Sequence, residues 1–160
     1  MTRDEKILEA LSTWRPQGDG PHIRSISLDA PGAAVGLTAD RADALSCQLR
    51  ELSATSGPTR PCTPAELTQR AVTLASRVTG LLEPLKVYEV DALSGQALLR
   101  SATPTDRNGR VHFYELILTG LHLASLKRYS SGKPKANRDG VPFVLTHETI
   151  AKLADDLTRE

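Results

Sequence analysis

Apolar residues fall on a helical period in four stretches of the chain. In the longest, 64–82, Leu67, Ala71, Leu74, Val78 and Leu81 step by 4, 3, 4 and 3. That spacing lines them along one face of a helix. Val72, Ala75 and Leu82 widen the stripe to a broad buried face, with Leu74 at its centre. Thr63 and Glu66 form a capping box ahead of it, and Pro64 sits at the first helical position, where its missing N–H costs nothing. A second capping box, Thr2 with Glu5, precedes Ile7, Leu8, Leu11 and Trp14 and predicts a helix near 3–14. Ala42, Leu45, Leu49 and Leu52 behind Thr38 predict a third near 39–53. Ile150, Leu153, Ala154 and Leu157 behind Thr146 predict a fourth near 147–158.

The remaining apolar segments are short and bounded by turn residues, which reads as strand. They lie at 22–28, 33–37, 87–93, 96–101, 110–118, 121–129 and 141–145. Ser94-Gly95 and Thr119-Gly120 each supply a two-residue hairpin turn, so the flanking strands are antiparallel. Asp106, Asn108 and Gly109 mark the turn between the two hairpins. These elements predict an α+β domain over 1–160, with a mostly antiparallel sheet of about five to seven strands packed with about four helices. Residues 53–63, Ser-, Thr- and Pro-rich, are the one candidate boundary and read as a surface connector.

One pattern occurs twice. Residues 33–52 and 141–160 align at an offset of 108, matching at Leu37/Leu145, Thr38/Thr146, Leu45/Leu153 and Leu49/Leu157. Each is an apolar run, a threonine N-cap and an amphipathic helix, a pseudo-twofold strand–helix repeat. The order of elements resembles that of small α+β secretion chaperones, which are dimeric and non-enzymatic. No residue motif carries a role across.

The last hairpin breaks the alternation of a half-solvated strand. Leu116, Ile117 and Leu118, with Leu121, Leu123 and Leu126, fill both faces. Either helices cover both sides, or one face meets a partner. Self-association through this sheet is the expectation.

Composition narrows the function classes by subtraction. The net charge of +1 gives no global attraction to nucleic acid or membrane. No apolar run approaches the length of a membrane span. The first residues lack the apolar stretch of a signal peptide, so a cytoplasmic location without disulfides is expected. Cys47 reads as a small core residue and Cys62 as part of a loop. Phosphate-binding, dinucleotide, hydrolase and zinc motifs are all missing, and no cofactor or metal is expected.

Four histidines, His22, His112, His122 and His147, offer no metal-ligand spacing. With Thr119-Gly120 as the turn, His122 faces Ile117 and His112 faces Lys127, about 17 Å apart at strand rise. Glu115 on the same hairpin is expected to alternate outward, and Glu89 and Asp91 to decorate one strand face. One charge imbalance stands out. Arg100, Arg107, Arg110, Lys127, Arg128, Lys133, Lys135 and Arg138 are opposed within 100–138 only by Asp106 and Glu115, a local net of +6.

The candidate binding surface is therefore Arg100, Arg110, Tyr114, Lys127, Arg128, Tyr129, Lys133 and Lys135. The expected function is a non-enzymatic protein-interaction or adaptor domain, homodimeric, with a protein partner. One alternative is a nucleic-acid-binding domain using the basic segment, by phosphate contact and base stacking. The other is an enzyme whose site gathers scattered residues such as His112, Glu115 and His122.

Overall fold

The computed structural model describes residues 1–132 and 137–159. Both capping boxes form. Thr2 caps α1 (Arg3–Ser12), and Thr63 caps α2 (Pro64–Arg77). In each, the threonine hydroxyl accepts from the glutamate N–H, and the glutamate carboxylate accepts from the threonine N–H. Leu67, Ala71 and Leu74 of α2 are buried, Leu74 completely. The helix ends at Arg77, short of the expected 82, and Val78 continues in extended backbone. Val72 and Leu82 are exposed, so the buried face is narrower than the pattern suggests.

Three strands precede α2, where two strands and a helix are expected. They are β1 (His22–Ser27), β2 (Ala33–Ala42) and β3 (Ser46–Ser56). Among the described residues the molecule therefore has three helices and ten strands, more strand and less helix than the pattern predicts. The missing helix is a misread period. In β3 the buried residues are Cys47 and Leu49, then Leu52 and Ala54. Opposite β2 the register slips between Thr38 and Arg41. Such a bulge admits an extra residue and flips the alternation. The spacing of Leu49 to Leu52 across it imitates a helical step. Thr38 pairs with Glu51 inside the sheet, so it caps nothing. Thr146 does cap a helix, α3 (His147–Thr158), accepting from the Thr149 N–H. The strand–helix repeat is absent from its first copy, and the element order behind the chaperone resemblance changes with it.

After α2 come β4 (Leu85–Asp91), β5 (Gln96–Ser101), β6 (Thr105–Arg107), β7 (Arg110–Thr119), β8 (Leu123–Ser131), β9 (Asp139–Val141) and β10 (Phe143–Thr146). The sheet runs β1-β2-β3-β8-β7-β5-β4 and every pairing is antiparallel. β3 pairs with β10 along its first half and with β8 along its second. In β7 and β8, Tyr114, Leu116, Leu118, Ala124 and Leu126 point into the core shared with the helices. The opposite, open face of the sheet carries no helix among the described residues.

Candidate functional site

Register decides which side chains meet. Thr119 pairs with Leu123, so the β7–β8 loop has three residues, Gly120, Leu121 and His122, where two are expected. Gly120 takes φ +59, which a glycine tolerates without strain. His112 consequently faces Ser130, and His122 leaves the strand to meet the Thr59 hydroxyl at 3.3 Å. Among the described residues, no three His, Cys, Asp or Glu side chains converge in a way that would hold a metal.

The sheet divides the expected binding residues between its two faces. Tyr114 and Arg128 stand opposite each other on the helix side. The Arg128 guanidinium lies 4.2 Å from the Tyr114 ring centroid. It donates to both carboxylate oxygens of Glu83, each at 2.9 Å. Glu83 also accepts from the hydroxyls of Ser101 at 2.8 Å and Thr105 at 2.7 Å. Ser101 in turn accepts the Tyr114 N–H at 2.7 Å. Every member but Thr105 is buried. Burial raises the Glu83 pKa, but hydrogen bonds from Arg128, Thr105 and Ser101 outweigh it and hold the carboxyl below its ordinary value. Arg110, at the start of β7, donates to the Ser130 hydroxyl at 2.7 Å and to Asp139 at 3.1 Å.

Arg100, Lys127 and Tyr129 face the open side. Arg100 and Glu115 are register partners on β5 and β7. Arg100 donates to one Glu115 oxygen through Nε at 2.9 Å and Nη2 at 2.5 Å, while Arg138 donates to the other. Each guanidinium is backed by at least one aromatic ring. Arg100 lies 4.0 Å from the Tyr88 centroid and 5.2 Å from that of Phe113, and Arg138 lies 4.0 Å from that of Tyr129. Glu115 does alternate to the open face, as expected, yet its side chain is only 2% exposed. Two arginines pair with it, where an unpaired carboxylate would not stay buried. Lys127 pairs with Glu51 at 3.5 Å. Lys133 and Lys135 lie outside the described residues.

This cluster ends a groove of about 510 Å³ on the open face. Leu98 and Ile117, paired across β5 and β7, form its floor. Asp91 and Gln96 close the far end, and Glu89 flanks the middle. From Arg100 to Gln96 is four residues of strand, about 14 Å. The groove thus runs from cation through apolar floor to carboxylate.

Sequence reasoning found Arg100, Lys127 and Tyr129, weighed Glu115 only as part of an enzyme site and Arg138 only as part of the basic segment, and missed Glu83 and Tyr88. Glu115 carried a signal, since it interrupts the apolar run from Phe113 to Leu118. The trio weighed as an enzyme site is separated: His112 lies on the helix side, Glu115 on the open side and His122 in a loop. No family model matches the chain, and neither a curated protein nor a solved structure matches it.

Proposed function

We propose that this chain is a non-enzymatic protein-interaction domain whose open sheet face seats a short segment of a partner polypeptide. One observation carries the reading: two arginines, each lying over an aromatic ring, are locked by the buried carboxylate of Glu115 at the head of an apolar-floored groove. Arginine and tyrosine are the residue types that dominate binding energy at interfaces. Locking them in place lowers the ordering cost that association otherwise incurs.

Charge complementarity names the segment. Arg100 and Arg138 together exceed the single charge of Glu115, so the head of the groove is cationic. Arg100 commits Nε–H and one Nη2–H to Glu115, and its Nη1 makes no hydrogen bond among the described residues. An aspartate or glutamate of the partner fits there by bidentate contact. An apolar side chain covers Leu98 and Ile117, and a lysine or arginine follows toward Glu89 and Asp91.

The nucleic-acid alternative has less support. Arg100, Arg110, Lys127, Arg128 and Arg138 each already face a carboxylate, and the sheet divides them. A backbone-tracking protein needs them on one continuous stripe.

Selection of a displayed random peptide library on the full chain tests the proposal. Enriched peptides should share an acidic, apolar, basic order. Their affinity, read by fluorescence anisotropy, should fall about tenfold or more with Arg138→Ala, equivalent to losing about 1.4 kcal/mol. No shared order, or equal binding to the variant, would overturn it. A dimer in sedimentation equilibrium that dissociates on Arg138→Ala would make the occupant a second copy of this chain.

A further inference from the structure

A second cavity, of about 650 Å³, opens on the helix side of the sheet. It lies between the segment 80–82, β10 with the first turn of α3, and the ends of β6, β7 and β8. Its polar wall is built by register. Thr105 pairs with His112 and Arg107 with Arg110, so all four side chains project to the helix side, where Tyr114 and Arg128 continue the wall.

The wall contains a local conflict. Arg107 and Arg110 flank a two-residue turn in which Asn108 takes φ 51 and Gly109 φ 75, the tight geometry of a hairpin. That turn sets two guanidiniums directly opposite each other, and like charges so placed repel. Arg110 is relieved by Ser130 and Asp139. Arg107 is exposed and makes no hydrogen bond or ion pair among the described residues, and half-buried His112 makes no side-chain hydrogen bond there.

The other charges do not cancel this field. Glu83, behind the wall, is engaged by Arg128, Ser101 and Thr105, as Asp139 is by Arg110. Burial, and then the charges of Arg128, Arg107 and Arg110, hold the His112 pKa below the usual histidine range, with Glu83 opposing them. Thr146 and Thr149 bring the N-terminal turn of α3 to the rim, and its dipole adds to the positive potential. Facing these groups is an apolar wall that includes Leu82 and Val144, both exposed by more than half, and the ring of Phe143.

We infer that this cavity binds a small organic anion, with its oxyanion head, phosphate or carboxylate, on Arg107 and His112 and its apolar body against Leu82, Phe143 and Val144. An oxyanion between the guanidinium and the imidazole gives Arg107 the partner it lacks and offsets its repulsion from Arg110. The apolar body removes Leu82 and Val144 from water. The site is on the opposite side of the sheet from the open-face groove and does not depend on what that groove binds.

The test is an NMR titration of the full chain at neutral pH with phenyl phosphate, benzoate, inorganic phosphate and benzyl alcohol. Saturable shifts of the His112 ring and the Arg107 amide are expected with phenyl phosphate or benzoate, and the tighter of the two names the head group. Inorganic phosphate and benzyl alcohol should each bind at least about tenfold more weakly, since each lacks one half of the recognition. Arg107→Ala should weaken binding by about tenfold or more. It should melt no lower than the parent, because it also removes a like-charge contact. The inference is overturned if neither aromatic anion saturates. It is also overturned if benzyl alcohol or inorganic phosphate binds as well as they do, or if Arg107→Ala binds unchanged.

Discussion

Glu83 and Arg128, 45 residues apart in sequence, meet as a buried bidentate ion pair with both contacts at 2.9 Å. Glu83 precedes β4 and Arg128 lies in β8, so the pair ties the segment after α2 to the centre of the sheet. The hydroxyls of Ser101 and Thr105 satisfy the remaining acceptor capacity of the carboxylate. Removing one partner leaves the other charge buried alone. Glu83→Ala should therefore cost about 3–5 kcal/mol in urea denaturation. A cost under about 1 kcal/mol would show the pair to be solvated and no more than a surface bridge.

The same carboxylate sets a pH dependence. Its folded pKa lies below the ordinary value of 4.5. A group with a depressed folded pKa contributes stability that is full above its unfolded pKa and is lost as pH falls through the folded one. Urea melts repeated downward from neutral pH should show stability declining below about pH 4.5, the value for an unperturbed glutamate. In Glu83→Gln that decline should be shallower. An identical acid limb in the variant would remove Glu83 from the account.

Leu74 and Val72 sit two positions apart on α2, one fully buried and the other 51% exposed. Leu74→Ala should cost about 2–5 kcal/mol, through lost transfer energy and the cavity left behind. Val72→Ala should stay within about 0.5 kcal/mol, as surface substitutions do. Equal costs would mean that the outer face of α2 is covered by something in solution.

Thr146→Ala removes the hydroxyl that accepts the Thr149 N–H at 3.2 Å. The expected cost is about 0.5–2 kcal/mol, the usual worth of an N-cap. Thr146→Ser, which keeps the hydroxyl, should recover most of it.

The two cysteines are free and should differ in reactivity. Cys47 is 1% exposed, and burial, followed by the charge of Asp43, raises its pKa to about 11. Cys62 is half-buried. With a thiol-reactive dye the native chain should release one equivalent rapidly and the second only on unfolding, because the thiolate is the reacting form. Two fast equivalents would show that the strand around Cys47 opens readily.

Local chemistry was legible wherever a signal is written in adjacent residues. Both capping boxes, the strand over 96–101 and the helix behind Thr146 depend on neighbours in sequence, and each formed. The failure at 39–53 has a local cause as well. A bulge breaks the two-residue alternation, and the broken pattern imitates a helix. The β7–β8 loop falls at Gly120–His122, one residue longer and one position later than the expected Thr119-Gly120, and that moved the register by three residues and with it the partner of every residue in the hairpin.

The sequence by itself determined that this is an α+β chain with an antiparallel sheet, because hydrophobic period, turn residues and helix caps act over a few residues and do not need the fold. Only the tertiary structure decided what the charges do. Arg100 meets Glu115, and Arg128 meets Glu83, because strand register and face bring together residues distant in sequence. A basic stretch of sequence thus became two clusters on opposite sides of one sheet. The physical reason is the two-residue alternation of a strand, which sends neighbours such as Tyr114 and Glu115, or Arg128 and Tyr129, to opposite faces.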